Sequence, residues 1–148
     1  MRNFGLTLAA LLLGASFAQA GEKGLMHCFA FTPIAEATQA DWDAFYKATD
    51  QLPKKMKFIK MVWAGKLARP LTLYNATNAE ARKKAAAGEK GATSEIVAQR
   101  REYGVCMAMD GGPEVLKQYT ANPYHKEWSD AYAKVRVAGT TTYDIIGQ

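Results

Sequence analysis

Residues 119–128 read Y-T-A-N-P-Y-H-K-E-W, an Asn-Pro break between two amphipathic segments with His125 just beyond it. Upstream, Val115, Leu116 and Tyr119 share one helical face, and downstream Tyr124, Trp128, Tyr132 and Val135 form a second apolar series. Proline lacks the N–H that a helix interior needs, so Asn122-Pro123 predicts an interrupted second helix. His125 is one of 2 histidines in the chain. The other, His27, stands in the apolar run M-H-C-F-A-F at 26–31, which Pro33 stops and which reads as a first strand. Two imidazoles in separate elements that a small fold can bring together define a candidate site.

Between these markers the chain alternates strand and helix signals. Thr38 suits an N-cap, with Asp41 three residues on, and Trp42, Phe45, Tyr46, Thr49 and Leu52 recur at helical spacing. Pro53 predicts the end of that first helix near Leu52. Residues 58–64 (F-I-K-M-V-W-A) read as a second strand closed by Gly65-Lys66, and 103–109 (Y-G-V-C-M-A-M) as a third. Asp110-Gly111-Gly112-Pro113 is a turn into the second helix, and β-branched 138–146 closes the domain as a fourth strand. The stretch at about 70–101 is rich in Ala and Lys with few large apolar side chains, so it predicts a low-order insertion. The order β-α-β-β-α-β is a split βαβ, a ferredoxin-like α+β fold with a four-stranded antiparallel sheet over 25–146.

Such a sheet carries helices on one face only and leaves the other needing cover. Alternation along the first strand sends His27, Phe29 and Phe31 one way and Met26, Cys28 and Ala30 the other. A two-fold partner would supply the missing layer, so a homodimer is expected.

The N-terminus predicts the compartment. Arg2 is a short basic region, 6–17 is apolar, and Ala18-Gln19-Ala20 is a small-x-small cleavage site, so 1–20 reads as a signal peptide of an exported, periplasmic or secreted protein. No second long apolar run follows, so no membrane association is expected after cleavage. Removing 1–20 takes one Arg and no acid, leaving 18 basic against 14 acidic residues, a net charge of +4. The basic runs, such as Arg82-Lys83-Lys84, lack interleaved aromatics or a nucleic-acid motif and read as solvated faces, so no nucleic-acid partner is expected. Cys28 and Cys106 are the only cysteines. In an exported chain they can form a disulfide if their strands are neighbours, or remain two small core residues if not.

In this order of elements, three local patterns resemble the Dabb family, the stress-responsive dimeric α/β-barrel domains. They are His27 followed by aromatics, Val62-Trp63-x-Gly65-Lys66 at the end of the second strand, and Tyr119-x-x-Asn122-Pro123-x-His125. The likeness covers 25–144 apart from the insertion, and Asn122 stands where the family pattern commonly has a first histidine. It implies two sheets paired into a barrel, helices outside and small apolar pockets within, lined here by His27, Phe29, Phe31, Trp63 and Asn122. It further implies binding of a small apolar molecule or a stress-related structural role. The likeness to plant polyketide cyclases of the family implies an alternative: a cofactor-free enzyme with His125 as general base and Tyr119 as its hydrogen-bonding partner. Those cyclases use a further histidine near the start of the third strand, where this chain has Glu102-Tyr103-Gly104-Val105.

Imidazole is the side chain best suited to proton transfer near neutral pH, and a tyrosine hydroxyl can donate to a developing oxyanion. A plainer reading has His125 fixing the helix break, His27 as a rim residue and Tyr119 as core. Metal ligation is not signalled: two histidines are an incomplete set, H-x-x-x-H is absent, and the strand methionines are spaced as core. Non-covalent haem with one axial histidine is a third option, but no cofactor is expected on the main reading.

Overall fold

The computed structural model describes residues 24–147; the proposed signal peptide at 1–20 lies outside the described residues. Strand β1 (Leu25–Phe31) leads into helix α1 (Gln39–Lys55), strand β2 (Ile59–Ala76), a short helix α2 (Ala79–Ala86) and strand β3 (Ile96–Met109). Helices α3 (Val115–Ala121) and α4 (Pro123–Ala133) then precede strand β4 (Thr141–Ile146). The sheet runs β2-β3-β1-β4 with every neighbouring pair antiparallel. Helices α1 and α4 pack against each other over one face. This is the ferredoxin-like α+β fold that the element order predicts.

Local chemistry explains the boundaries. Thr38 and Asp41 form a reciprocal capping box, the Thr38 hydroxyl accepting from the Asp41 N–H at 3.2 Å and the Asp41 carboxylate from the Thr38 N–H at 3.1 Å. Helix α1 runs three residues past Leu52, because a single bond missing at Pro53 is tolerated in a last turn. At the predicted break, Asn122 ends α3 and its side chain caps α4 by accepting from the Tyr124 N–H at 2.9 Å. Pro123 takes the first position of α4, where its missing N–H costs nothing.

The core lies between the sheet and the helices, with Phe31, Phe45, Leu52, Met107 and Val135 essentially inaccessible. Buried polar groups lock α4 onto α1. Trp128 Nε1–H donates to the Thr49 hydroxyl at 3.0 Å, that hydroxyl donates to the Phe45 carbonyl at 2.8 Å, and the Tyr124 hydroxyl donates to the Ala48 carbonyl at 3.0 Å. These bonds fix the axial position of α4 and hence of His125 in its first turn.

The stretch at 70–101 differs from the low-order insertion expected of it. β2 and β3 continue past an irregularity between Lys66 and Leu71 and pair from Leu71↔Arg101 to Ala76↔Ile96. Helix α2 sits at the tip, capped by Asn78, whose side chain accepts from the Glu80 and Ala81 N–H groups. Both faces of this ribbon are largely solvated, so its strands lack the alternation that a half-buried strand writes into a sequence.

The face of the sheet away from the helices is open and apolar. Trp63 is 53% exposed, Tyr143 47% and Ile145 53%, and Met26 and Met61 lie beside them. On that face Cys28 and Cys106, directly opposite on β1 and β3, form a disulfide with a Cα–Cα separation of 4.1 Å. It closes a loop over a sequence separation of 78, and cross-links of this kind typically stabilise by about 2–4 kcal/mol. Among the described residues no helix is long and apolar enough to cross a membrane.

Candidate functional site

The break at Asn122 is what assembles the site. Residues six apart on a straight helix point roughly 240° away from each other, so Tyr119 and His125 could not meet on a continuous rod. With the chain extended at Asn122 (φ −71°, ψ 131°), their rings meet edge to face with centroids 4.5 Å apart. Tyr119 also lies 5.6 Å from the His27 ring on β1, so it stands between the two imidazoles. Phe29 and Trp128 complete the aromatic surroundings.

His27 is held from the far side. β1 and β4 pair in a register that sets His27 opposite Asp144, and Nδ1 lies 2.6 Å from the Asp144 carboxylate. A carboxylate only accepts, so Nδ1–H is the donor. The carboxylate therefore fixes the ring orientation and keeps the proton on Nδ1.

These side chains line one open cavity of about 180 Å³, with Phe29 and Trp128 on its apolar side and Ser129, Arg136, Thr140 and Thr142 on its polar side. Tyr119 is 3% exposed, yet its hydroxyl has no hydrogen-bond partner. Burial, with a smaller contribution from Tyr132, pushes this phenol well above its ordinary range, so it stays a protonated donor at any physiological pH. His125 is half-buried. Desolvation first, and the neighbouring His27 second, lower its pKa below the usual 6.5 and keep it neutral at pH 7. The cavity thus presents a neutral imidazole beside a protonated, unpartnered hydroxyl.

Of the sequence-derived candidates, His125, Tyr119, His27 and Phe29 come together here. Three others do not. Phe31 lies one step deeper on the same face of β1 and is locked into the core against Phe45 and Tyr132. Trp63 pairs with Cys106 and so shares the opposite, open face with the disulfide. There it borders a separate depression of about 350 Å³ with Leu67, Leu71 and Tyr143. The Asn122 side chain is spent on capping α4. Asp144 and Arg136 were missed. The signal for Asp144 was a lone acid in T-T-Y-D-I-I, where a charge within an otherwise uncharged strand asks for a partner. Arg136, in an isolated β-bridge to Pro33 just after α4, had no sequence signal.

The cavity at His125, about 180 Å³, is smaller than the roughly 300 Å³ at the lower end of sites for drug-sized ligands and cofactors, so it does not enclose a haem. Among the described residues no group of three or more His, Cys, Asp or Glu is arranged to hold a metal ion.

No protein-family model matches the chain, and no curated protein matches it by sequence. Solved structures do. A dimeric ferredoxin-like protein of unknown function from Thermobifida fusca superposes with a TM-score of 0.54 at 16% identity, covering 84% of this chain and 92% of that one. A Dabb family protein with a ferredoxin-like fold from Mesorhizobium loti gives 0.53 at 9% identity, over 86% and 99% of the two chains. Hydroxynitrile lyase from Passiflora edulis gives 0.55 at 10% identity, over 85% and 94%. At these identities the likeness is one of fold: the chain has the ferredoxin-like architecture found in dimeric proteins, a Dabb protein among them.

An unpartnered buried hydroxyl is a cost that a phenyl ring avoids. Tyr119→Phe should therefore raise the stability of the free protein by about 1 kcal/mol in urea denaturation. A loss of 1 kcal/mol or more would mean that the hydroxyl has a structural partner.

Proposed function

We propose that the cavity at His27, Tyr119 and His125 is a cofactor-free acid–base site acting on a small carbonyl compound, in a chain that is exported and dimeric. The observation that carries this is the convergence of a neutral imidazole and an unpartnered phenol donor on one cavity. His125 is suited to take the proton from a carbon next to a carbonyl. The electron pair then moves onto the carbonyl oxygen, where the Tyr119 hydroxyl can donate a hydrogen bond to the developing charge. The imidazolium returns its proton to a second position of the same molecule, which makes the net reaction an isomerisation. His27, oriented by Asp144, is placed on the other side of Tyr119 to bond a substrate heteroatom through Nε2. Membership of a lyase among the fold-mates adds little, because chemistry belongs to sites and not to folds.

Dimerisation is inferred from the open face. Trp63, Tyr143, Ile145, Met26 and Met61 form an exposed apolar surface of a kind that soluble monomers seldom display. The dimeric fold-mates support a second copy as its cover. Such a dimer would enclose the depression beside Trp63, Leu67 and Tyr143, which favours a second reading in which a small apolar molecule, or a stress-related structural role, belongs to the barrel interior. Export is supported by the disulfide, which persists in oxidising compartments.

Proton transfer is tested by deuterium exchange into small ketones and aldehydes in D₂O, followed by NMR. The chain should accelerate exchange, His125→Ala should lower that rate by about 100-fold or more, and Tyr119→Phe by roughly 10- to 100-fold. No acceleration, or equal rates in His125→Ala, would leave only the binding reading. For the assembly, analytical ultracentrifugation should find a dimer that Trp63→Glu converts to a folded monomer; a dimer that survives this change would place the interface elsewhere.

A further inference from the structure

Among the described residues two buried side-chain polar atoms lack a hydrogen-bond partner, the Tyr119 hydroxyl and Arg136 Nε. Buried polar groups are almost always paired, so two exceptions on residues that line the same small cavity mark it as built for something else to bind. Arg136 lies with its guanidinium carbon 4.6 Å from the centre of the Tyr132 ring, and among the described residues no carboxylate stands within ion-pair distance of it. No acid is among the residues that line the cavity, and Asp144, behind His27, is already bonded to it. A second guanidinium, Arg101, is buried nearby and bonds only neutral side chains, Thr32, Gln99 and Thr141. Its charge and that of Arg136 both act on Tyr132 in the cavity wall. This side of the cavity therefore carries positive charge without an internal counter-ion.

We propose that the cavity binds a short carboxylic acid that also carries a carbonyl group, with the carboxylate on Arg136 and the carbonyl oxygen on Tyr119. The proposal rests on the acid–base reading of the same site and narrows its substrate class. A guanidinium offers a planar fork of donors that matches a carboxylate. A cavity of about 180 Å³ suits an acid of a few carbon atoms. Phe29 and Trp128 give the remaining wall an apolar surface, which suits a short carbon chain and would leave the outer oxygens of a phosphate unsatisfied. Arg136 is then the specificity-determining residue and Tyr119 the group that touches the reacting oxygen.

The experiment is calorimetric titration of the purified disulfide-bonded chain with pyruvate, pyruvamide, propanoate and inorganic phosphate. Pyruvate should bind at least tenfold more tightly than pyruvamide, and propanoate should fall between them. Arg136→Gln should weaken pyruvate at least tenfold while leaving pyruvamide unchanged, and Arg136→Lys should restore part of the loss, with circular dichroism confirming that both variants fold. Equal binding of pyruvate and pyruvamide, phosphate binding as tightly as pyruvate, indifference to Arg136→Gln, or no binding of any probe would each overturn the assignment. The two readings fail separately. Arg136-dependent binding of pyruvate without His125-dependent exchange keeps the ligand class and removes the reaction. His125-dependent exchange of neutral ketones without Arg136-dependent pyruvate binding does the reverse.

Discussion

A phenol hydroxyl buried without a partner costs about 1–3 kcal/mol, and the site depends on the fold bearing that cost at Tyr119. Tyr119 is held in place by its ring, which packs beside both imidazoles and Trp128. Its position relative to His125 is set by the Asn122-Pro123 break, and that of His125 by the bonds that tie Trp128 and Tyr124 to α1. The core thus positions a donor that it does not itself satisfy. That arrangement makes little sense as packing and good sense as preorganisation for a ligand oxygen.

The two faces of β1 separate the molecule into two kinds of surface. His27, Phe29 and Phe31 face the helices, where the cavity forms at the His27 end and solid core at the Phe31 end. Met26, Cys28 and Ala30 face the other way, where the disulfide pins β1 to β3 beneath Trp63 and Tyr143. Since strand alternation is strict, a slip of one residue in β1 would exchange the two sets, and the disulfide guards that register.

Much of this was legible in the sequence because it rests on local chemistry. The Thr38 cap, the Asn122-Pro123 break and the parity of 26–31 follow from single residues and short spacings, and they were enough to give the strand and helix order. They also bring Tyr119 and His125 to one place. What was hidden depends on partners far along the chain. Asp144 acquires meaning only when β4 pairs with β1 in the register that puts it across from His27, 117 residues away. The family likeness put Trp63 with the other pocket residues, but which side of the sheet it occupies is set by pairing with β3, which the local run V-W-x-G-K does not disclose. The ribbon of β2 and β3 beyond Lys66 was invisible for a different reason: with both faces solvated, it leaves no hydrophobic period to read.

NMR titration of the two imidazoles tests most directly whether His125 is held neutral by burial and by coupling to His27. His125 should titrate below 6.5, because burial and the charge of His27 both disfavour its protonated form, and His27→Gln should move that value part of the way back up. A His125 that titrates at or above 6.5, with no response to His27→Gln, would contradict the account.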